Sequence, residues 1–217
     1  MKNAMNKHSM REIAQTKSRF LSIFTIIAIS IGFFAGLSAA APDMRLSADT
    51  YYKQQNLAHY RLVSTFGFND DDIEALRELE GVTVYPGYFA DTLVEKDGSK
   101  YVTRVISLGD TTADSGVNRP VLTEGRFPEA PNECIVDGGG LFSGNKVGGT
   151  VTLSSGTDDP LSDTLKNSEY TIVGVFDSPI YIDMSARGNT TIGNGSIKSV
   201  IYVMEENFLT EVYTEVN

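Results

Sequence analysis

The chain of 217 residues holds 18 basic and 28 acidic side chains, a formal net charge of −10, with two histidines and a single cysteine. The charge is divided unevenly, +4 over residues 1–41 and −14 over the remainder. A net anion repels phosphate, so nucleic acid is excluded as a partner of the acidic part, and one cysteine excludes an internal disulfide framework.

The first nineteen residues are basic, with Lys2, Lys7, Arg11, Lys17 and Arg19 against Glu12. Met10, Ile13, Ala14 and Phe20 recur at spacings near three or four, which fits a short helix on a membrane surface or a basic tail that sets orientation. Phe20 to Ala41 then carries no ionisable side chain. As a helix it would be roughly 33 Å long at ~1.5 Å per residue, enough to cross a ~30 Å hydrocarbon core. Ser22, Thr25, Ser30 and Ser38 are its polar members, and their hydroxyls can bond the carbonyl one turn earlier. The basic flank predicts a cytoplasmic N-terminus and an extracytoplasmic remainder after Ala41. Ser38-Ala39-Ala40-Ala41-Pro42 offers the small residues of a signal cleavage site, but the apolar run exceeds the ~7–15 residues of a signal core, which favours a retained anchor.

Beyond the span, Asp43 to Tyr60 is expected to form a further helix. Tyr60 to Thr65 reads as a strand. Asn69 to Gly81 reads as an amphipathic helix: Asn69 or Asp70 caps it, Asp70 to Asp72 fill its positive first turn, and Ile73, Leu76 and Leu79 make one face before Gly81. The acidic run lacks the alternating acids, central Gly and distal Glu of a calcium loop. Short β-rich runs follow at Val82–Glu95, Tyr101–Leu108, Glu133–Val136, Thr150–Leu153, Tyr170–Phe176 and Ser199–Met204, with a hairpin across Asp97-Gly98. The class is α+β: one N-terminal transmembrane helix, residues 20–41, and a mostly β extracytoplasmic domain, residues 42–217, with few helices.

Catalytic patterns fail one by one. Gly139 to Val147 mimics a phosphate loop, but Asn145 separates Gly144 from Lys146 and neither Ser nor Thr follows the lysine, so a tight loop is expected. A Ser-His-Asp triad outside would depend wholly on His59, since His8 lies in the basic segment. One cysteine and one external histidine do not make a zinc site. Cys134, in an apolar strand pattern, reads as a small buried hydrophobe. No catalytic, metal-binding or cofactor-binding residue is assigned, no cofactor is expected and the chain is read as non-enzymatic. Phe127, Tyr181 and Phe208, in expected loops, are the aromatics that could meet a hydrophobic ligand, with core packing the ordinary role of such residues.

Val121-Leu122-Thr123-Glu124-Gly125-Arg126-Phe127-Pro128 followed by Asn132-Glu133-Cys134-Ile135-Val136-Asp137 resembles the signature of the extracytoplasmic core domain of FtsX-like (MacB-type) ABC transporter permeases. Val147 to Leu153 is similar to that domain's next strand, with Gly149 where Asp is usual, and Tyr170 to Val175 to a later one. Ser178 to Ile182 and Arg187 to Gly195 resemble a version common in Gram-positive bacteria. Arg11-Glu12-Ile13 and Lys17 to Phe20 look like the family's start. On the residues alone, Gly125 and Pro128 shape a turn and Arg126 is placed to pair with Glu124 or Glu133. The resemblance implies a membrane subunit without ATPase activity, partnered by a separate ABC ATPase, by membrane lipid and by further permease copies in a dimeric transporter. It also implies relay of ATP-driven motion to an external domain, for a peptide, lipid or lipoprotein substrate. The family has four spans, so a single one marks the chain as expected to be a fragment. The alternative is a self-standing, membrane-anchored binding module without transport.

Overall fold

The computed structural model describes residues 8, 11, 15–109, 116–142, 147–181 and 187–217. It has two compact units, Met1–Tyr51 and Tyr52–Asn217. Met10, Ile13 and Ala14, on which the surface-helix expectation rests, lie outside the described residues, as do Ser143 to Lys146 of the glycine loop and Ile182.

Helix α1 runs Lys17–Gln54, and one stretch of it is long and apolar enough to cross a membrane. Ser22 Oγ donates to Ser18 O at 2.9 Å and Ser30 Oγ to Ile26 O at 2.8 Å, so these hydroxyls are satisfied within the helix. Its apolar side chains are open on all sides, Phe33 at 69 % and Phe34 at 73 % exposure, with none buried. An all-round apolar helix needs an apolar medium, and a bilayer supplies it. The further helix expected from Asp43 to Tyr60 is not separate: α1 continues through Pro42 and stops at Gln54. The stop has a local cause. Asn56 adopts φ +48°, its N–H meets Lys53 O at 3.3 Å, and Leu57 N–H meets Tyr52 O at 3.0 Å. This is a Schellman end, with asparagine in the left-handed position.

In the second unit, β1 (Leu62–Phe68) leads to helix α2 (Asp70–Arg77). Asn69 accepts from Asp72 N while Asp72 accepts from Asn69 N, a complete capping box. Ile73 is buried and Leu76 packs beside it with Val84 and Val216. Two details differ from expectation: the helix ends at Arg77 rather than near Gly81, and Leu79 is 53 % exposed. The sheet beneath has only three strands, so Ile73 and Leu76 suffice to cover it and Leu79 meets no core. Replacing Asn69 by Ala should cost about 1 kcal/mol of stability, the usual worth of an N-cap, readable by urea titration.

Strands β2 (Pro86–Gly87), β3 (Phe89–Lys96) and β4 (Ser99–Leu108) follow. The last two form the expected hairpin, Lys96 opposite Ser99, with Asp97 at φ +54° and Gly98 at φ +74°. Two successive positive φ values define the type I′ turn whose twist suits antiparallel strands. Next come β5 (Val121–Gly125), β6 (Glu133–Asp137), β7 (Thr150–Ser154), β8 (Glu169–Asp177), β9 (Ile197–Met204) and β10 (Tyr213–Val216). The small sheet orders β1-β10-β2; the large one orders β5-β8-β6-β9-β4-β3-β7. Because β7 also pairs with β8, the large sheet closes on itself. Closure pairs both sides of β7, leaving the short β5 as the edge strand of the large sheet.

Alternation along these strands sorts the core into two layers. Val94, Val105, Cys134, Val136, Val151, Leu153, Tyr170, Ile172, Ile201 and Val203 point to one, and Val102, Ile106, Ile135, Phe176, Val200 and Tyr202 to the other. Central β9 is therefore buried on both faces, which explains its apolar run from Val200 to Met204.

Candidate functional site

The motif segments assemble around β6. On one side Arg126 meets Glu133, Nη1 to Oε2 at 2.7 Å and Nη2 to Oε1 at 2.5 Å, and Glu129 N–H also donates to Glu133 at 2.8 Å. Of the two acids expected for Arg126, Glu124 and Glu133, Glu133 is the bidentate partner, and Glu129, which was not expected, stands 3.8 Å away. The guanidinium and the Glu129 and Ala130 amides hold the Glu133 carboxyl down at about 2. The cluster faces solvent and is a turn fastener: a fork-to-fork pair fixing the loop between β5 and β6. Because the folded carboxyl is depressed, its stabilisation is present above an ordinary glutamate value near 4.5 and is lost as pH falls from there through about 2. A Glu133→Gln variant should therefore show a shallower loss of melting temperature between those two pH values than the parent.

At the other end of β6, Asp137 and Arg187 form a buried pair, Arg187 Nη2 donating to Oδ1 at 2.7 Å and Nε standing 2.7 Å from Oδ2. Gly139 N–H donates to the same carboxylate at 2.7 Å, and Arg187 Nη1 reaches Lys198 O at 3.4 Å. Burial pushes the Asp137 carboxyl up, against the pull of Arg187 and of the Gly139 and Val200 amides. The pair joins the end of the Asn132–Asp137 motif to the start of the Arg187–Gly195 motif, two stretches that nothing but the fold brings together.

A third cluster lies at Phe89. Arg104 Cζ stands 4.4 Å from the ring centroid and Arg61 Cζ 5.2 Å. Each guanidinium has its own acid: Arg104 bonds Asp91 at 2.7 and 2.9 Å, and Arg61 Nε bonds Glu215 at 2.7 Å. Phe89 N–H donates to Thr214 Oγ1 at 2.6 Å, so this stack links β3 of the large sheet to β10 of the small one. Spacing gave no signal for it, because its members come from four separate strands or loops.

Two clefts open nearby. One, of about 220 Å³, is lined by Tyr85, Ile106, Val117, Tyr202, Glu205 and Glu215 among others. The other, of about 530 Å³, is lined chiefly by apolar side chains, Leu57, Leu62, Leu76, Val82, Val84 and Val216, with His59 and Tyr60 at its wall. His59 has no serine or carboxylate arranged around it as a triad in that lining. Cys134 is fully buried and burial pushes its thiol up to about 12, so it is inert as a nucleophile. Phe208 is buried and stacks on Tyr88 at 5.4 Å, while Phe127 and Tyr181 pack against the second core layer. All three aromatics thus serve packing. Among the described residues, no group of three or more His, Cys, Asp or Glu side chains gathers as a metal site.

No family model and no curated protein matches the sequence. Among solved structures, the chain is similar to the extracellular domain of the noncanonic ABC-type transporter YknZ from Gram-positive bacteria. That likeness has 14 % identity and a TM-score of 0.42, and covers 70 % of this chain and 73 % of that one. It is also similar to the periplasmic region of MacB from Actinobacillus actinomycetemcomitans, at 10 % identity and a TM-score of 0.38, covering 71 % of this chain and 64 % of that one.

Proposed function

We propose that the chain is the first span and external domain of an ABC transporter permease. The observation that carries this reading is the assembly of the motif segments. The Val121–Pro128, Asn132–Asp137, Tyr170–Val175 and Arg187–Gly195 stretches, scattered in sequence, become neighbours around β6 and are joined by Arg126–Glu133 and Asp137–Arg187. A motif set that builds one domain is expected to be found together in space. Under this reading residues 1–19 are cytoplasmic, α1 carries the chain across, and residues 42–217, the last part of α1 and the β domain, face outside, with the basic flank retained on the inner side. ATP is hydrolysed by a separate subunit, and the chain works beside further permease copies and membrane lipid, exporting or extracting a peptide, lipid or lipoprotein. It does no covalent chemistry itself.

Protease added to intact cells should digest the chain beyond Ala41 and spare the first nineteen residues; protection of the β domain would reverse the orientation. Co-purification with an ATPase subunit that hydrolyses ATP faster in its presence is the result expected of a permease. Absence of any such subunit, with a stable β domain that binds a ligand alone, would favour an anchored binding module instead.

A further inference from the structure

Three stretches remote in sequence meet at one side chain, Asn118, which is 7 % exposed and holds φ +53°. Its N–H donates to Asn56 O at 3.0 Å, and the next amide, Arg119 N–H, donates to Gln55 O at 3.0 Å. Its Oδ1 accepts from Ala58 N–H at 2.9 Å and its Nδ2 donates to Asn217 Oδ1 at 3.0 Å. Asn56 replies by donating its own Nδ2 to Gly116 O at 3.1 Å. Asparagine suits the place twice over: it tolerates the left-handed backbone, and its amide offers an acceptor and a donor in fixed opposition.

The chain of bonds does not stop there. Asn217 exchanges backbone hydrogen bonds with Tyr85 at 2.9 and 3.0 Å, and its Nδ2 donates to Glu215 Oε1 at 3.3 Å. Glu215 pairs with Arg61, whose guanidinium lies over Phe89. The segment that follows the Schellman end of α1 is therefore tied first to the end of β10 and then, through Glu215 and Arg61, to the large sheet. Tyr85, Val117 and Asn217 also line both clefts, so the same tie forms the wall they share.

The geometry points to Asn118 as a positioning residue: it fastens the segment leaving α1, Gln55 to Ala58, to the end of β10, so that displacement of the one is delivered to the other. This deepens the permease reading, under which a helix must pass motion to the β domain. A cap that merely steadied its own loop would not need partners on both α1's exit segment and β10.

Amide hydrogen exchange on the full chain in lipid nanodiscs tests it, with Asn118→Gly as the variant, since glycine keeps the left-handed backbone and removes only the side chain. Exchange at Ala58 to Tyr60 and at Glu215 to Asn217 should quicken about tenfold together, while β4 and β9 stay as in the parent. Loosening of 58–60 without 215–217 would overturn the link to β10. Equal loosening of β4 and β9 would reduce Asn118 to a general stabiliser, and no change anywhere would remove it as a fastener. Exchange is read without any ATPase, so failure of the permease reading would show separately, as absence of a hydrolysing partner.

Discussion

Asp137→Ala is expected to destabilise the β domain by about 3–5 kcal/mol, because it removes the carboxylate paired with the Arg187 guanidinium in a site that is 4 % exposed. The cost comes from the charge left behind more than from the bond removed. Arg187→Met should cost a comparable amount, since it leaves the carboxylate buried with only amide donors for company. The informative variant is the pair, Asp137→Leu with Arg187→Met, which removes both charges and fills the space. It should recover most of the loss, as buried ion pairs often exchange for apolar side chains at little net cost. Urea unfolding of the four proteins gives the coupling energy directly. A double variant as unstable as the sum of the singles would show that Arg187 is needed for something besides Asp137, its bond to Lys198 O being the first suspect.

The second large effect is steric. Gly125 closes β5 at φ +79°, and a Cβ added there would lie 2.2 Å from Val173 O and 2.8 Å from Gly174 Cα. Gly125→Ala therefore combines a left-handed backbone, about 1–2 kcal/mol for an L-residue, with overpacking of about 1–3 kcal/mol. Both contacts are backbone, so no side-chain rotation relieves them. The expected result is a domain weakened by several kcal/mol, or one in which β5 detaches from β8; loss of exchange protection on β5 amides alone would identify the second case. Gly98→Ala makes the control. It has a similar φ, +74°, but nothing within 4 Å of the added atom, so it should show the backbone cost without the clash.

Much of this architecture was legible beforehand because it rests on short-range rules. An uncharged apolar run of membrane length declares itself whatever surrounds it. A cap at Asn69 or Asp70, and the Asp97-Gly98 turn, are local devices that follow from residue type, and the structure selects Asn69 with Asp72 as its capping-box partner. The strands β4, β6, β7, β8 and β9 stood out by their branched and aromatic content within a residue or two of their ends, whereas the run expected from Val82 to Glu95 splits into β2 at Pro86–Gly87 and β3 from Phe89. The α+β class with one apolar N-terminal helix follows from these, and the structure has it. The reach of α1 was harder to see: Asp43 to Tyr60 read as a further helix, yet α1 runs on through Pro42 and ends only where Asn56 turns left-handed.

Other features belong to the tertiary structure alone. Strands β5 and β10 passed unmarked as strands because Thr123-Glu124-Gly125 and Tyr213-Thr214-Glu215 look polar; they are strands because β8 and β1 lie beside them and, for Glu215, because Arg61 neutralises a buried charge. The closing of the large sheet by β7 and β8 is a long-range pairing with no local signature. Arg126 offered two acids to choose from, and only the approach of β6 selected Glu133. Asp137 with Arg187, the Phe89 stack and the Asn118 junction each join residues tens of positions apart. The membrane-length helix, the capped start of α2, the hairpin turn and most strands are written locally, since each depends on neighbours within a few residues. Tertiary structure alone decided which charges pair, which face of each strand is buried and where the exit of α1 is tied down, since those energies exist only once distant segments meet.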